Sequence, residues 1–269
     1  MNFQKPLRLS NYVDQLQRTG HYWFLRHVAK EALNVSDSSL SQALSRLVKR
    51  HRICRVRGDF FVIVPSEYQT AGCIPAEWFM PAFMQHINQA YYVSLLTAAS
   101  FSGAAHQQVM DFQIITNGIV RPMMIGNQRI TCHYKKMIPS EFLMQLKTPT
   151  SCFNVSKPEL TAFDLVYYIN ASGQINAVAT VLSELIETLD SQLLEKIARS
   201  DYITLSTIQR LGYVLDTIGA TLDLHGLEKI IKEKKPKFIP LINSKTKPII
   251  SRSQRWHILI NETIEIDDL

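Results

Sequence analysis

Three stretches of helical periodicity, then two β-rich stretches about a glycine, fill the first sixty-four residues and leave few topologies open to them. Leu9, Tyr12, Val13 and Leu16 recur at helical spacing, and Arg18-Thr19-Gly20 closes that run with a basic residue and a glycine. A second run sets Phe24, Leu25, Val28 and Leu33 on one side and Arg26 and Lys30 on the other. Asn34-Val35-Ser36-Asp37 then ends one helix and caps the next, because Ser or Asp side chains accept from the orphan N–H groups of a first turn. From Asp37 a third helix gathers Leu40, Ala43, Leu44, Leu47 and Val48 on one stripe. Beyond it Ile53 to Arg57 and Phe60 to Val64 flank a Gly58-Asp59 turn, which predicts a hairpin with Arg55 and Arg57 alternating onto one face. Three helices and a basic hairpin, in that order, predict a winged helix-turn-helix.

Charge follows the same boundary. Residues 1–64 hold eleven Lys and Arg against four Asp and Glu, while the other 205 hold eighteen against nineteen, so the whole surplus of +6 comes from this segment. A basic module on a neutral body is the footprint of a protein that docks on nucleic acid through one domain. The polar face of the third helix carries Ser38, Gln42, Ser45, Arg46 and Lys49, with Ser39 and Arg50 at its margins. Short hydroxyls can approach phosphates or base edges, Gln42 can read adenine at two points, and Arg46 or Lys49 can reach guanine or the backbone. The hairpin would set Arg55 and Arg57 against the sugar-phosphate backbone or a minor groove. A solvated basic surface, or a protein-contact module, is the plainer alternative.

The proline-bounded stretch 65–76 reads as a linker, and residues 77–269 as a second, larger domain. There Glu77 to His86 and Tyr91 to Ala99 are expected to be helical. Strands are expected at Phe112 to Thr116, Ile130 to Lys135, Phe142 to Leu146 and Cys152 to Val155. From Pro158 to Ile231 the pattern is helical, and a last strand is expected at Trp256 to Ile260, ahead of an acidic tail. Strands grouped apart from helices predict an α+β domain, with a small, mostly antiparallel sheet and a helical bundle. Between Lys229 and Arg255 nine basic residues face only Glu233. Lys232, Lys234, Lys235, Lys237, Lys245, Lys247 and Arg252 could form a second nucleic-acid surface or meet an acidic partner, although a charge run is usually a solvated loop.

Signatures of catalysis are sparse. The sequence has no Gly-x-Ser-x-Gly elbow, phosphate-binding glycine loop or dinucleotide fingerprint. Asp111 with Gln145 and Lys147 could hold a metal and a water beside a phosphate, a nuclease-like set that chance also supplies. Cys54, Cys73, Cys132 and Cys152 lack zinc-ligand spacing and read as buried free thiols, the eight histidines are dispersed, and neither metal nor cofactor is expected. No apolar stretch reaches membrane-spanning length and the start lacks a secretory h-region, so a cytoplasmic location is expected.

A family resemblance joins these segments. Residues 91–108, YYVSLLTAASFSGAAHQQ, then Phe112-Gln113-Ile114-Ile115-Thr116, resemble the AbiEi antitoxins of bacterial abortive-infection systems. So do Pro158-Glu159-Leu160-Thr161 with Asp164, the run from Arg210 to Asp216, and Trp256-His257-Ile258-Leu259-Ile260-Asn261. The wing residues Arg57-Gly58-Asp59-Phe60-Phe61 match the family's winged-helix head, whereas Ser102 stands where members often carry His. The resemblance implies the antitoxin of a type IV toxin-antitoxin pair, opposed to a nucleotidyltransferase toxin of the AbiEii kind. It also implies that the head binds repeats in the operon's own promoter and represses it, and that the C-terminal domain supplies antitoxin activity without a stable toxin complex. Direct sequestration of the toxin, and metal-dependent nuclease activity, are the rival expectations.

Overall fold

Asn34 ends one helix and Ser36 begins the next, as the sequence predicts. Asn34 takes up a left-handed conformation (φ 49°), and the Ser36 hydroxyl accepts from the Ser39 N–H at 3.3 Å. In this computed structural model, which describes residues 8–104, 110–244 and 246–265, these caps separate α2 (Arg26–Leu33) from α3 (Asp37–Lys49). Ahead of them lie α1 (Leu9–Arg18) and β1 (Trp23–Leu25), and after them β2 (Ile53–Arg57) and β3 (Phe60–Ile63). The three strands form an antiparallel sheet in the order β1-β3-β2.

Phe24 and Leu25 thus lie in a strand and not, as expected, in the second helix. Trp23 pairs with Val62, Phe24 with Phe61 and Leu25 with Phe60, and the Phe24 ring stacks on Phe61 at 5.6 Å. Cross-strand aromatic pairs of this kind stabilise a short strand that its own sequence would not hold. Leu9, Val13, Phe24, Ala29, Leu33, Leu40, Leu44, Ile53, Phe61 and Ile63 form the core between helices and sheet. Val28 and Val48, expected on apolar stripes, are 42% and 38% exposed.

β3 is buried on both faces. Phe61 and Ile63 enter the core just described, while Phe60 and Val62 join a second core with Phe79, Met80, Phe83 and Met84 of α4 (Ala76–His86). The period-2 alternation of a strand makes one short segment serve both sides.

The second core lies on one face of a six-stranded sheet built from β4 (Tyr91–Val93), β5 (Asp111–Thr116), β6 (Met123–Ile125), β7 (Gln128–Tyr134), β8 (Leu143–Lys147) and β9 (Cys152–Ser156). Its order is β6-β7-β5-β4-β9-β8, with β5/β7 and β4/β9 parallel and the other pairs antiparallel. The sheet is therefore larger and more mixed than expected. Tyr91 to Ala99, expected as one helix, divides into β4 and α5 (Leu95–Phe101). Ser94 is extended and Leu95 has φ 57°, a sharp turn whose next N–H, that of Leu96, is taken up by the Gln113 side chain at 2.9 Å.

The helical part comprises α6 (Pro158–Tyr167), α7 (Gln174–Leu185), α8 (Ser191–Ala198), α9 (Leu205–Thr217) and α10 (His225–Lys234). Residues 159–166 of α6 are buried all round, so α6 is the central helix, packed by α5, α7, α8 and α9. The short strands β10 (Ile239–Pro240), β11 (Ser251–Ser253) and β12 (Ile258–Ile260) form a last sheet in the order β10-β12-β11, where β12 begins two residues later than expected. Mixed helices and sheets make the chain an α+β protein.

Candidate nucleic-acid interface

Leu40 and Leu44 fix the rotation of α3, because both are under 5% exposed in the core between helices and sheet. The opposite face follows from the helical period. Ser38, Ser39, Gln42, Ser45, Arg46, Lys49 and Arg50 are all exposed. Ser39 is engaged in the helix cap, its hydroxyl taking a hydrogen bond from Ser36 Oγ at 3.0 Å, and Ser38 Oγ lies at the same distance from Ser36. No side-chain partner holds Gln42, Arg46, Lys49 or Arg50 among the described residues, so these side chains are free to meet a ligand.

A carboxylate whose role sequence reading missed bridges α2 and α3. Asp37 accepts from Lys30 Nζ at 2.5 Å and Arg26 Nη2 at 3.3 Å, and Arg26 also donates to Ser41 Oγ at 2.9 Å. The Lys30 hydrogen bond and charge, with Arg26 adding to them, hold the Asp37 carboxyl below its ordinary range. Two cations of the basic segment are thus occupied in holding α3. Their spacing on α2, four residues apart and opposite an acid at the next helix start, was the available signal.

The hairpin departs from expectation. Arg55 faces Phe61 but Arg57 faces Phe60, because a bulge at Val56 shifts the register between them. Phe60 and Phe61 point to opposite faces, so the two arginines do as well, and the expectation of one shared face is corrected. Arg55 is exposed, donates to the Gly58 carbonyl at 2.6 Å and lies over the Phe61 ring. Arg57 turns toward the larger sheet and donates to the Arg121 carbonyl at 2.8 Å. At the turn, Asp59 bridges His27 Nδ1 of α2 (2.8 Å) and His86 Nε2 of α4 (2.9 Å). Burial works to raise the Asp59 pKa, but the His27 hydrogen bond and the nearby His86 outweigh it, and the carboxyl sits below its ordinary value.

The nuclease-like set is not assembled. Asp111 is on β5 and pairs with Arg129 at 3.7 Å, whereas Gln145 and Lys147 are on β8, with β4 and β9 in between. Three strand spacings of about 4.8 Å separate the two strands by about 14 Å, already too far for one metal and one water. Among the described residues no group of three His, Cys, Asp or Glu is placed to hold a metal ion, and no helix is long and apolar enough to cross a membrane. All four cysteines are free thiols, but only Cys73 is buried as expected, while Cys54 and Cys132 are half-buried and Cys152 is exposed. Cys54 and Cys73 meet at 3.4 Å between sulfurs.

The second basic run divides. Lys232 pairs with Glu228 at 2.5 Å and Lys247 with Glu262, while Lys234, Lys235, Lys237 and Arg252 are exposed with no acidic partner among the described residues. Lys245 lies outside the described residues, as do residues 105–108 of the longest family-like stretch and the end of the acidic tail from 266.

Asp164 is the deepest charge of the larger part, fully buried, and accepts from Tyr92 Oη (2.8 Å), Ser94 Oγ (2.9 Å) and Lys135 Nζ (2.7 Å). Burial, then the Asp164 charge, push the Tyr92 phenol well above its ordinary pKa, so it remains a donor. Ser156 and Thr161 extend the network, their hydroxyls 2.6 Å apart. These residues tie β4, β7 and β9 to α6 and make a structural hub.

The fold defines an α+β protein with a basic three-helix end and a larger, helix-packed sheet. A family model for the AbiEi antitoxin C-terminal domain matches residues 92–217, from β4 to the end of α9, and marks this stretch as a domain of the AbiEi antitoxin kind. A toxin partner, in general terms, goes with such a family. The crystal structure of the RV2827C protein from Mycobacterium tuberculosis is similar in fold, with a TM-score of 0.66 at 12% identity over 96% of this chain and 92% of that one. No curated protein matches the sequence.

Proposed function

We propose that residues 1–64 form a winged helix-turn-helix that binds the promoter of its own operon at repeated sequences and represses it. Residues 77–269 act as the antitoxin domain and 65–76 link the two. The carrying observation is the outward face of α3, where Ser38, Gln42, Ser45, Arg46 and Lys49 are exposed while Leu40 and Leu44 are buried behind them. An α-helix with amide and cationic groups on one side fits a major groove, with Gln42 toward adenine and Arg46 or Lys49 toward guanine or phosphate. Ser39 and Arg50 lie at the rim, where contacts with phosphate set register. Arg55 is the hairpin cation available to the backbone, and Arg57 serves to join the hairpin to the larger sheet.

The toxin opposed in this reading is a nucleotidyltransferase, countered by this protein in the cytoplasm without a stable complex, as part of a phage-defence system. Binding of labelled promoter DNA by the full chain tests the repressor role. Arg46→Ala is expected to cost ~1–3 kcal/mol on the repeats and less on scrambled DNA. Equal binding of wild type and variant to both duplexes contradicts the reading. The rival, a head that grips the toxin, predicts co-elution of the two proteins and its loss with the same α3 substitutions.

A further inference from the structure

Cys54 and Cys73 touch across two differently anchored parts of the chain. Cys54 lies on β2, an edge strand of the small antiparallel sheet, opposite Val62, and its Sγ is 3.4 Å from that of Cys73. The segment around Cys73 is held instead by the turn between β6 and β7 of the larger sheet. Asn127 donates its N–H to the Ala71 carbonyl at 2.8 Å and its side-chain amide to the Thr70 carbonyl at 3.3 Å, and Gln128 Nε2 donates to the Ile74 carbonyl at 3.2 Å. A Cβ on Gly126 would lie 2.3 Å from the Ala71 carbonyl oxygen, so this approach leaves no room for a side chain. The sulfur contact therefore spans the joint between the three-helix end and the larger sheet.

A cysteine that only fills a core behaves as a small hydrophobe. Here the two thiols meet sulfur to sulfur and differ in access, since Cys73 is fully buried and Cys54 half-buried. Closing the 3.4 Å contact to a bond of about 2.05 Å needs a movement of about 1.4 Å. That movement is asked of β2, which pairs within its sheet on one side only and carries the bulge at Val56.

We propose that Cys54 and Cys73 are a redox modification site, converted by a peroxide to an intramolecular disulfide that ties the three-helix end to the larger sheet. The Cys54 sulfur attacks a peroxide oxygen, the O–O bond breaks, one water leaves and Cys54 becomes a sulfenic acid. The Cys73 sulfur then attacks the Cys54 sulfur, the S–O bond breaks, and the departing oxygen takes the Cys73 proton and leaves as a second water. Two thiols thus lose two electrons and two protons, and one peroxide gains them. The order follows from the surroundings: the hydrogen bond with Cys54 and then burial push the Cys73 thiol up, so it stays neutral until its neighbour has reacted. A small thiol reopens the bond by exchange, which makes the tie reversible. The site stands whether or not α3 reads DNA.

The test uses the full chain with Cys132→Ala and Cys152→Ser, in which only this pair can react, beside the wild type. Hydrogen peroxide should leave this variant without free thiols under denaturing conditions. Digestion without reductant should give, from both proteins, a peptide joining Cys54 to Cys73 that is two hydrogens lighter than the sum of its parts, and dithiothreitol should release it. Adding Cys73→Ser should stop the reaction at a Cys54 sulfenic acid that dimedone traps, whereas adding Cys54→Ser should leave the buried Cys73 unreacted. Amide hydrogen exchange in β2 and β3 should slow by about tenfold or more in the oxidised form, because a closed loop resists opening. The proposal is overturned if both thiols survive the peroxide, if the cross-links join separate chains, if the bond forms only after unfolding in urea, or if exchange is the same in both forms.

Discussion

A Cβ on Gly212 would lie 2.2 Å from the indole ring of Trp256, which brings α9 and the turn before β12 as close as glycine allows. One helical turn on, Asp216 accepts from the same indole at 3.1 Å and from Arg255 at 2.6 Å. Trp256 is fully buried, so the ring cannot withdraw. Gly212→Ala should therefore destabilise the chain by about 1–3 kcal/mol through overpacking, despite the gain in helix propensity. Urea unfolding monitored by tryptophan fluorescence checks this, and an alanine variant as stable as wild type refutes it.

Lys135 neutralises the fully buried Asp164, and its own side chain is only 12% exposed. Lys135→Met leaves the carboxylate with two hydroxyl donors and no counter-charge, which should cost about 3–5 kcal/mol. Adding Asp164→Asn removes the stranded charge, and the double variant should recover part of the loss. A double-mutant cycle from chemical denaturation measures the coupling. Additive losses would mean that the pair does not hold β7 to α6.

How far these arrangements are legible in the sequence depends on whether their cause is local. The helix ends at Asn34 and Ser36 and the apolar stripe of α3 are properties of adjacent residues, and both can be read from the chain alone. β1 escapes such a reading because Trp23 to Leu25 is a strand only by virtue of Phe60 to Val62, more than thirty residues away. β4 is hidden because its apolar residues run directly into those of α5, and the turn between them relies on Gln113. The bulge at Val56 has no signal in an evenly alternating hairpin, so alternation alone places Arg55 and Arg57 on one face. Asp111, Gln145 and Lys147 fail together because strand order, which separates them, is not encoded in spacing along the chain. The family-like segments at 210–216 and 256–261 are visible as patterns, and their physical meaning is the Gly212 to Trp256 approach.

The clamp between α2 and α3 should be acid-labile. The Asp37 carboxyl is held below its ordinary value by Lys30 and then Arg26, so its folded pKa lies below the unfolded one, about 3.9. A carboxyl shifted down contributes its stability above the unfolded pKa and loses it as pH falls through the folded value. The advantage of wild type over Asp37→Asn should hold at neutral pH, shrink below about pH 4, and vanish in stronger acid. High salt should reduce it too, since the pair is exposed. Urea midpoints of both proteins across this range decide the matter, and a gap independent of pH would show that Asp37 acts by shape alone.

Arg46 and Arg57 should separate recognition from architecture. Arg46 is exposed on α3 and free of side-chain partners among the described residues, whereas Arg57 is committed to the Arg121 carbonyl across the hairpin and the larger sheet. Arg46→Ala should leave the unfolding midpoint within about 0.5 kcal/mol of wild type and weaken binding to the promoter repeats. Arg57→Ala should instead lower stability by about 1 kcal/mol, the value of a lost hydrogen bond, and leave discrimination between repeats and scrambled DNA unchanged. Arg55→Ala, which removes an exposed hairpin cation, should weaken both duplexes equally and flatten the salt dependence by about 0.9. Calorimetric melting beside anisotropy on the same preparations tests the three together. Loss of sequence discrimination in Arg57→Ala at unchanged stability would reverse the assignment, making the hairpin the reading element.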